Sequence, residues 1–413
     1  MNFIKTPTKG MRDILPNEME IREYVINQIC ETYSQFGFKR IETPCVEHIE
    51  NLTSNQGGEN EKLIFKVLKR GEKLKLDEAN SENDLVDSGL RYDLTVPLSR
   101  YYASNMNELD KPFKALQIGP VWRADRPQKG RFRQFVQCDI DILGEKSTLA
   151  EIELILATTT FLKKIGLGNF RVKINDRRIL KTIALSSGFL EKDCDSIFIS
   201  LDKMDKIGPK GVKEELLEHG YNEENIDKYL NVFNNDKTSA VKFYDSLNKE
   251  DLDYTEANNL DNVVDIIRNI NNVNIEFDPT LVRGMSYYTG LIFEIEVVDY
   301  PGSIAGGGRY DNMIEKYANV SVPACGFSIG FERLINILME NGYQIPNDKK
   351  KYALLLDKDV STDTLKKAIE KATDLRGQGY IVNIQYKSKN FKFQKETLEN
   401  QNYEILLNDK LGN

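Results

Sequence analysis

Between Gly119 and Asp141 the chain reads GPVWRADRPQKGRFRQFVQCDID. Arg123, Arg126, Lys129, Arg131 and Arg133 fall within eleven residues, against the single carboxylate Asp125. Guanidinium groups make planar, two-pronged contacts with phosphate or carboxylate. Trp122, Phe132 and Phe135 interleave with the charges, which suits a stacked base as well as phosphates. A charge run of this kind is usually a solvated loop; the aromatic interleaving moves the reading to a nucleotide site. Pro127 and Gly130 break the run into two extended arms around a turn. In an antiparallel hairpin alternate residues share a face, so Arg123 and Gln137 can point into one pocket. Asp139 and Asp141 alternate with Ile140 and Ile142, so the two carboxylates also share a face.

Other chemistry-bearing residues are scattered. Asp93 and Thr95 stand at an expected strand end, where side chains are held rigidly. Arg283 precedes Gly284, with Tyr287 and Tyr288 following, in a stretch read as strand. Gly306-Gly307-Gly308, between strand and helix, is either a tight turn or a place where a ligand can approach the backbone closely. Arg333 opens a helix in GFSIGFERL, and helix N-termini favour anions. GxxxxGK[ST] does not occur, which closes the P-loop route to ATP. LDKMDKIGPKG, from Leu201 to Gly211, looks like a nucleotide loop but lies in a helical stretch, and is set aside. The five cysteines form no CxxC pair, and His48 and His219 lie 171 positions apart. Zinc and histidine-based triads are therefore disfavoured.

The elements that must position these residues follow from periodicity. A helix is expected from Pro16, with Ile21, Tyr24, Val25, Ile29, Tyr33 and Phe36 on one face and Gly37 closing it. FKRIETP reads as a strand, and LRYDLTVPLSRYYA as a strand running into a helix near Pro97. Thr148 and Glu151 form a capping-box pattern ahead of a helix ending near Gly166. Strands are expected at FRVKIN, at LVRGMSYYTGLIFEIEVV and at SIAGGGRYD, and a strand-to-helix unit at ACGFSIGFERLINILME. Four sections result: 1–179, 180–268 (rich in Lys, Glu, Asp and Asn, and helical), 269–346, and 347–413, a small α/β unit. The net charge of −8, from 56 basic and 64 acidic residues, leaves only local patches for nucleic acid. No signal-peptide or membrane-spanning run is seen, so a cytoplasmic protein without membrane attachment is expected.

Taken together, KGMRDILP with the strand ending at Pro44, GPVWRADRPQKGRFRQFVQCDIDILG, LVRGMSYYTG, AGGGRYDNMI and GFSIGFERL resemble the ordered motifs of the class II aminoacyl-tRNA synthetases. Within that class they resemble the histidyl-tRNA synthetase family. The resemblance implies an α+β fold: an antiparallel sheet flanked by helices, with a helical insertion and a small C-terminal α/β domain resembling an anticodon-binding one. It implies a histidine–tRNA ligase that uses ATP with Mg2+, forms histidyl-adenylate, charges tRNA(His) and works as a homodimer. Asp93, Thr95 and Gln137 would then hold the α-amino group, and Asp141 and Tyr288 the imidazole, with Tyr287 beside them. Arg123 would bind the α-phosphate and carboxylate, Phe135 would stack on adenine, and Arg131 and Arg333 would take the outer phosphates. Arg283 would stabilise charge at the α-phosphate. Asp125, Asp141 and Ser286 stand where Glu, Glu and Asp are frequent in the family. The rival reading is a non-catalytic, histidine-sensing regulatory subunit of ATP phosphoribosyltransferase, which intact Arg123, Arg283 and Arg333 argue against; an amide ligase without tRNA is remoter still.

Overall fold

The computed structural model describes residues 3–53, 60–126, 130–247, 252–283, 287–346 and 349–407. Lys129 and Ser286, both singled out above, lie outside them. The chain divides into two compact units, Met1–Gly342 and Tyr343–Asn413.

In the first unit, helix α1 (Pro16–Gln35) begins with proline at its first turn, where the missing N–H costs nothing. Val25, Ile29 and Tyr33 are its buried face, and Gly37 ends it at φ +83°. Short elements follow: β1 (Lys39–Arg40), β2 (Val46–His48), α2 (Ile49–Thr53), β3 (Lys66–Leu68) and β4 (Val86–Leu90). Only two residues of FKRIETP are strand; they pair in parallel with the next long strand. Helix α3 (Thr95–Asn105) starts two residues before Pro97. The basic hairpin is β5 (Phe113–Trp122) and β6 (Gln134–Leu143), antiparallel in unbroken register from Phe113↔Leu143 to Trp122↔Gln134.

Helix α4 (Leu149–Lys164) follows, but the capping box expected at Thr148 and Glu151 does not form. Thr148 makes no side-chain cap, and Glu151 is buried in a two-pronged ion pair with Arg309 at 2.7 and 2.8 Å. Strand β7 (Phe170–Asp176) leads into six helices: α5 (Arg177–Ser186), α6 (Cys194–Leu201), α7 (Met204–Glu218), α8 (Glu223–Val232), α9 (Ala240–Asp245) and α10 (Thr255–Asn271). The motif set aside above runs from the last residue of α6 into the kinked start of α7, with Gly208 at φ 68° ahead of Pro209.

The sheet resumes with β8 (Ile275–Phe277), β9 (Leu291–Val297) and β10 (Ser303–Arg309). A short α11 (Glu315–Ala318), β11 (Ala324–Gly330) and α12 (Phe331–Glu340) complete the unit. Eight strands form one sheet in the order β1-β5-β6-β11-β10-β9-β7-β8, antiparallel except for the edge pairs β1/β5 and β7/β8. Helices α1, α4, α10 and α12 flank it, α4 packing against α1, β6 and β11. The fold expected from the resemblance is thus observed.

The strand expected at SIAGGGRYD is observed, and the triple glycine lies inside β10, so of the two readings left open for it the tight turn is not observed. A Cβ on Gly307 would sit 2.0 Å from the Gly326 carbonyl, and one on Gly308 2.6 Å from that of Leu291. Glycine there permits backbone contact with both neighbouring strands. One further expectation is corrected. Arg283 does not lie in a strand; Leu281–Arg283 is irregular chain ahead of β9.

The second unit has a parallel three-stranded sheet in the order β13-β12-β14. Its elements are β12 (Lys351–Leu356), α13 (Thr362–Gly377), β13 (Ile381–Tyr386), α14 (Phe391–Asn400) and β14 (Tyr403–Leu407). Alternate residues of β12 feed two cores: Leu354 and Leu356 pack with Ala368 and Ala372 of α13, and Ala353 and Leu355 with Leu398 of α14.

Candidate functional site

Strand β6 is the floor. It turns Cys138, Ile140 and Ile142 into the buried core. It turns Gln137, Asp139 and Asp141 onto a cavity of about 390 Å3, a size suited to small-molecule ligands. Every residue to which the resemblance gives a ligand role lines this one cavity, whereas Trp122, Arg126 and Arg133 of the basic run are not among its lining. Asp93 and Thr95 enter from the start of α3, Arg123, Arg131, Phe135, Gln137 and Asp141 from the hairpin, Arg283, Tyr287 and Tyr288 from the chain before β9, and Arg333 from α12.

One half of the cavity is acidic. Asp93 is 3% exposed; its Oδ1 accepts from the Val96 amide at 3.1 Å. Its Oδ2 has no partner among the described residues. Burial raises its affinity for a proton. Asp141 accepts a 2.6 Å hydrogen bond from the Tyr310 hydroxyl, yet burial pushes its carboxyl up to about 7. Opposite it stands Gly326, where a Cβ would come within 2.1 Å of Asp141 Oδ1. The carboxylate therefore occupies space that only glycine leaves. Tyr287 packs against Tyr288 and Tyr310, with ring centroids 4.8 and 6.0 Å apart. Gln137 donates through Nε2 to Ser328 Oγ at 3.1 Å, and its Oε1 is unpartnered among the described residues. A carboxylate bonded to a phenol, beside two further phenols, can accept an N–H from a flat polar ring. Tyr310 escaped the sequence reading because its motif was read only for its glycines.

The other half is basic. Arg123 donates from Nε to the Tyr92 carbonyl at 2.9 Å, and its guanidinium lies 5.2 Å from the Phe135 ring centroid. Arg283 donates from Nη1 to Glu294 Oε2 at 2.6 Å. It lies over Gly306, where a Cβ would be 2.3 Å from Nη1. Burial opposes its charge, but Tyr288 and Glu294 outweigh that and hold its proton more firmly than usual. Arg333 donates to the Ser303 carbonyl; burial, then the nearby charge of Arg131, lower its pKa. Arg133 is tied to the Asp125 carbonyl at 3.1 Å. Anchored guanidiniums lining a recess are suited to anionic groups.

A network missed by the sequence reading braces this half. Glu332 receives Arg22 on both oxygens, at 2.7 and 2.8 Å, and Arg12 at 3.1 Å. Arg12 also grips Glu18 at 2.7 and 2.6 Å and sits 4.6 Å from the Phe132 ring centroid. The N-terminal segment, α1, α12 and the hairpin arm thus meet at one carboxylate. Among the described residues no cluster of three or more His, Cys, Asp or Glu side chains could hold a metal ion. No helix of the described residues is long and apolar enough to cross a membrane.

Comparison with known proteins adds the following. Residues 10–334 match the family model described as histidyl-tRNA synthetase. A histidine–tRNA ligase of Leifsonia xyli subsp. xyli is 41% identical over 400 residues, 94% of this chain and 91% of that protein. A probable histidine–tRNA ligase of Tropheryma whipplei is 38% identical over 416 residues, 97% of this chain and 95% of that protein. The crystal structure of histidyl-tRNA synthetase from Nostoc sp. PCC 7120 superposes with a TM-score of 0.80 at 26% identity, covering 99% of this chain and 93% of that one. A Bacillus halodurans C structure described as an ATP phosphoribosyltransferase regulatory subunit/histidyl-tRNA synthetase has a TM-score of 0.78. At 22% identity, over 98% of this chain and 99% of that one, it is a likeness in fold.

Proposed function

The chain belongs to the histidyl-tRNA synthetase family and carries histidine–tRNA ligase activity, and from that premise we propose that the two halves of the cavity divide the first reaction between them. The acidic half holds histidine: Asp93, Thr95 and Gln137 at the α-amino group, Asp141 and Tyr288 at the imidazole, with Tyr287 alongside. The basic half holds ATP: Phe135 under adenine, Arg123 at the α-phosphate and the histidine carboxylate, Arg131 and Arg333 at the outer phosphates. Adenylation forms a bond from a histidine carboxylate oxygen to the α-phosphorus and breaks the bond to pyrophosphate. The attacking carboxylate is already anionic, so no protein base is required, and positioning with fixed positive charge carries the rate. Arg283 stabilises the charge that builds on the α-phosphate. A hydroxyl of tRNA(His) then displaces AMP. Magnesium would arrive with ATP, held by phosphate oxygens and water, and no step above depends on a protein site for it.

The observation that carries this reading is the convergence on one cavity of every residue to which the resemblance gives a ligand role. The regulatory-subunit alternative rests on a likeness in fold alone. ATP–pyrophosphate exchange with and without histidine separates the two. Exchange that requires histidine is expected; histidine binding without exchange would favour the sensor.

We also propose a cytoplasmic homodimer assembled through the segment that resembles motif 1, and a role for the C-terminal unit with the tRNA. From Asp348 to Asn413 the sequence has 13 Lys or Arg against 10 Asp or Glu, a net of +3 in a chain of −8. Lys387 pairs with Asp357 at 2.8 Å, and Lys392 and Lys395 face Glu396 and Glu399 one turn on. Phosphate contact must compete with these exposed pairs, which are individually weak. Removing residues 348–413 should leave histidine-dependent exchange largely intact and strongly weaken tRNA charging. Equal loss of both would make the unit a structural support of the first.

A further inference from the structure

A histidine α-ammonium group brings three N–H donors to its site. The proposed function assigns it Asp93 and Gln137, each of which keeps one acceptor atom unpartnered among the described residues. A third such atom is Asp139 Oδ1, on the residue between Gln137 and Asp141 on the cavity face of β6. Asp139 is 4% exposed, and the family resemblance gives it no role.

We infer that Asp139 is a substrate-binding residue that accepts a hydrogen bond from the α-ammonium group and so selects amino acids over their uncharged or deaminated analogues. The inference rests on the acidic half being the amino-acid half. Its neighbours on the sheet leave Oδ1 idle among the described residues. Across β5 it faces Gln117, whose Nε2 donates to the Leu94 carbonyl at 3.1 Å and whose Oε1 accepts from Thr43 Oγ1 at 3.3 Å. Across β11 it faces Ser328, whose oxygen receives Gln137 and whose hydroxyl supports the charged form of Asp139, yet Oδ1 still has no partner among the described residues. The Gln137 amide reaches Asp139 only through Oδ2, at 3.5 Å, the far limit of a hydrogen bond. A buried carboxylate with an idle oxygen is costly unless a ligand completes it.

The charge balance points the same way. Asp93, Asp139 and Asp141 share the cavity. Burial, then repulsion from Asp141, push the Asp139 carboxyl well above its usual range, while Ser328 and Arg123 pull it back. Arg91, the other nearby cation, is spent on the carbonyls of Thr43 and Pro120 at 2.6 and 3.0 Å. An arriving ammonium group supplies the positive charge that lets Asp139 ionise.

The test is calorimetric binding of histidine and of 3-(imidazol-4-yl)propionate, which keeps the ring and carboxylate but lacks the amino group. Wild type, Asp93→Asn and Asp139→Asn are compared, with ATP binding as the check on folding. Asp139→Asn should weaken histidine by about 10- to 100-fold, the range for a hydrogen bond to a charged group, and leave the propionate within about threefold. Equal loss of both ligands, or unchanged histidine affinity, overturns the inference. So does a wild-type chain that binds the propionate as tightly as histidine. If Asp139→Asn does not bind ATP, Asp139→Ser serves the same comparison. Asp93→Asn separates the levels. If it weakens histidine and Asp139→Asn does not, only this inference fails; if neither does, the assignment of the acidic half fails with it.

Discussion

The two halves of the cavity solve opposite problems in opposite ways. Arg283, Arg333 and Arg123, all half-buried, are each anchored by an internal partner, Glu294, the Ser303 carbonyl and the Tyr92 carbonyl, although Arg283 Nε keeps no partner among the described residues. Asp93 and Asp139 are buried with oxygens left idle among the described residues, and their carboxyls are shifted toward the neutral form. The reason is chemical. A guanidinium does not shed its proton in a protein, so one taken partly out of water is anchored by the fold. A carboxylate can take up a proton and wait. The basic half is therefore set before substrate arrives, and the acidic half is completed by it. On this account the acidic half governs which amino acid is held, and the basic half governs how fast it reacts.

Arg123 is where the division should break down, since it is assigned to both the carboxylate and the α-phosphate. Arg123→Ala should lower kcat and raise the KM for histidine together, with kcat falling about 10²- to 10³-fold, as measured by pyrophosphate exchange. A loss confined to one parameter would place Arg123 in one half only. Gly326→Ala should strike the acidic half alone. Its Cβ would meet Asp141 Oδ1 at 2.1 Å, so the carboxylate must move, and histidine affinity should fall about tenfold. Calorimetry with ATP should then show little change; a comparable loss of ATP affinity would mean that the floor strand itself has shifted.

The third prediction uses protonation alone. The folded protein holds the Asp141 carboxyl near 7, above its value in an unfolded chain. Folding thus favours the protonated form, and that contribution is present below about pH 4 and fades as pH rises toward 7. Asp141→Asn removes the penalty. Without ligand, the variant should gain stability relative to wild type between pH 5 and pH 8, by about 1–2 kcal/mol, in denaturant titrations. A constant difference would mean that Asp141 is ionised throughout.

Much of this was legible in the sequence because the informative segments are local. The β5–β6 hairpin follows from alternation around Gly130, which takes φ +76°. The strand and helix from Ala324 to Glu340 follow from a change of period. The misreadings share one cause, dependence on a distant partner. Triple glycine in a strand leaves a turn open; only register shows that Gly307 must lie against Gly326 of the next strand. Thr148 and Glu151 read as a cap; Arg309, far along the chain, takes Glu151 instead. Tyr310 and Arg12 stand inside the motifs AGGGRYDNMI and KGMRDILP, but their partners, like that of Glu294, are set only by sheet register and helix packing.

The division of labour is tested most directly by one pyrophosphate-exchange experiment on Arg283→Ala and Asp141→Ala, with histidine varied at saturating ATP. Arg283→Ala should lower kcat about 10²- to 10³-fold with the KM for histidine nearly unchanged. Asp141→Ala should raise that KM about 10- to 100-fold with a much smaller change in kcat. If the two variants shift kcat and KM in the same proportions, the cavity acts as one undivided site and the account is wrong.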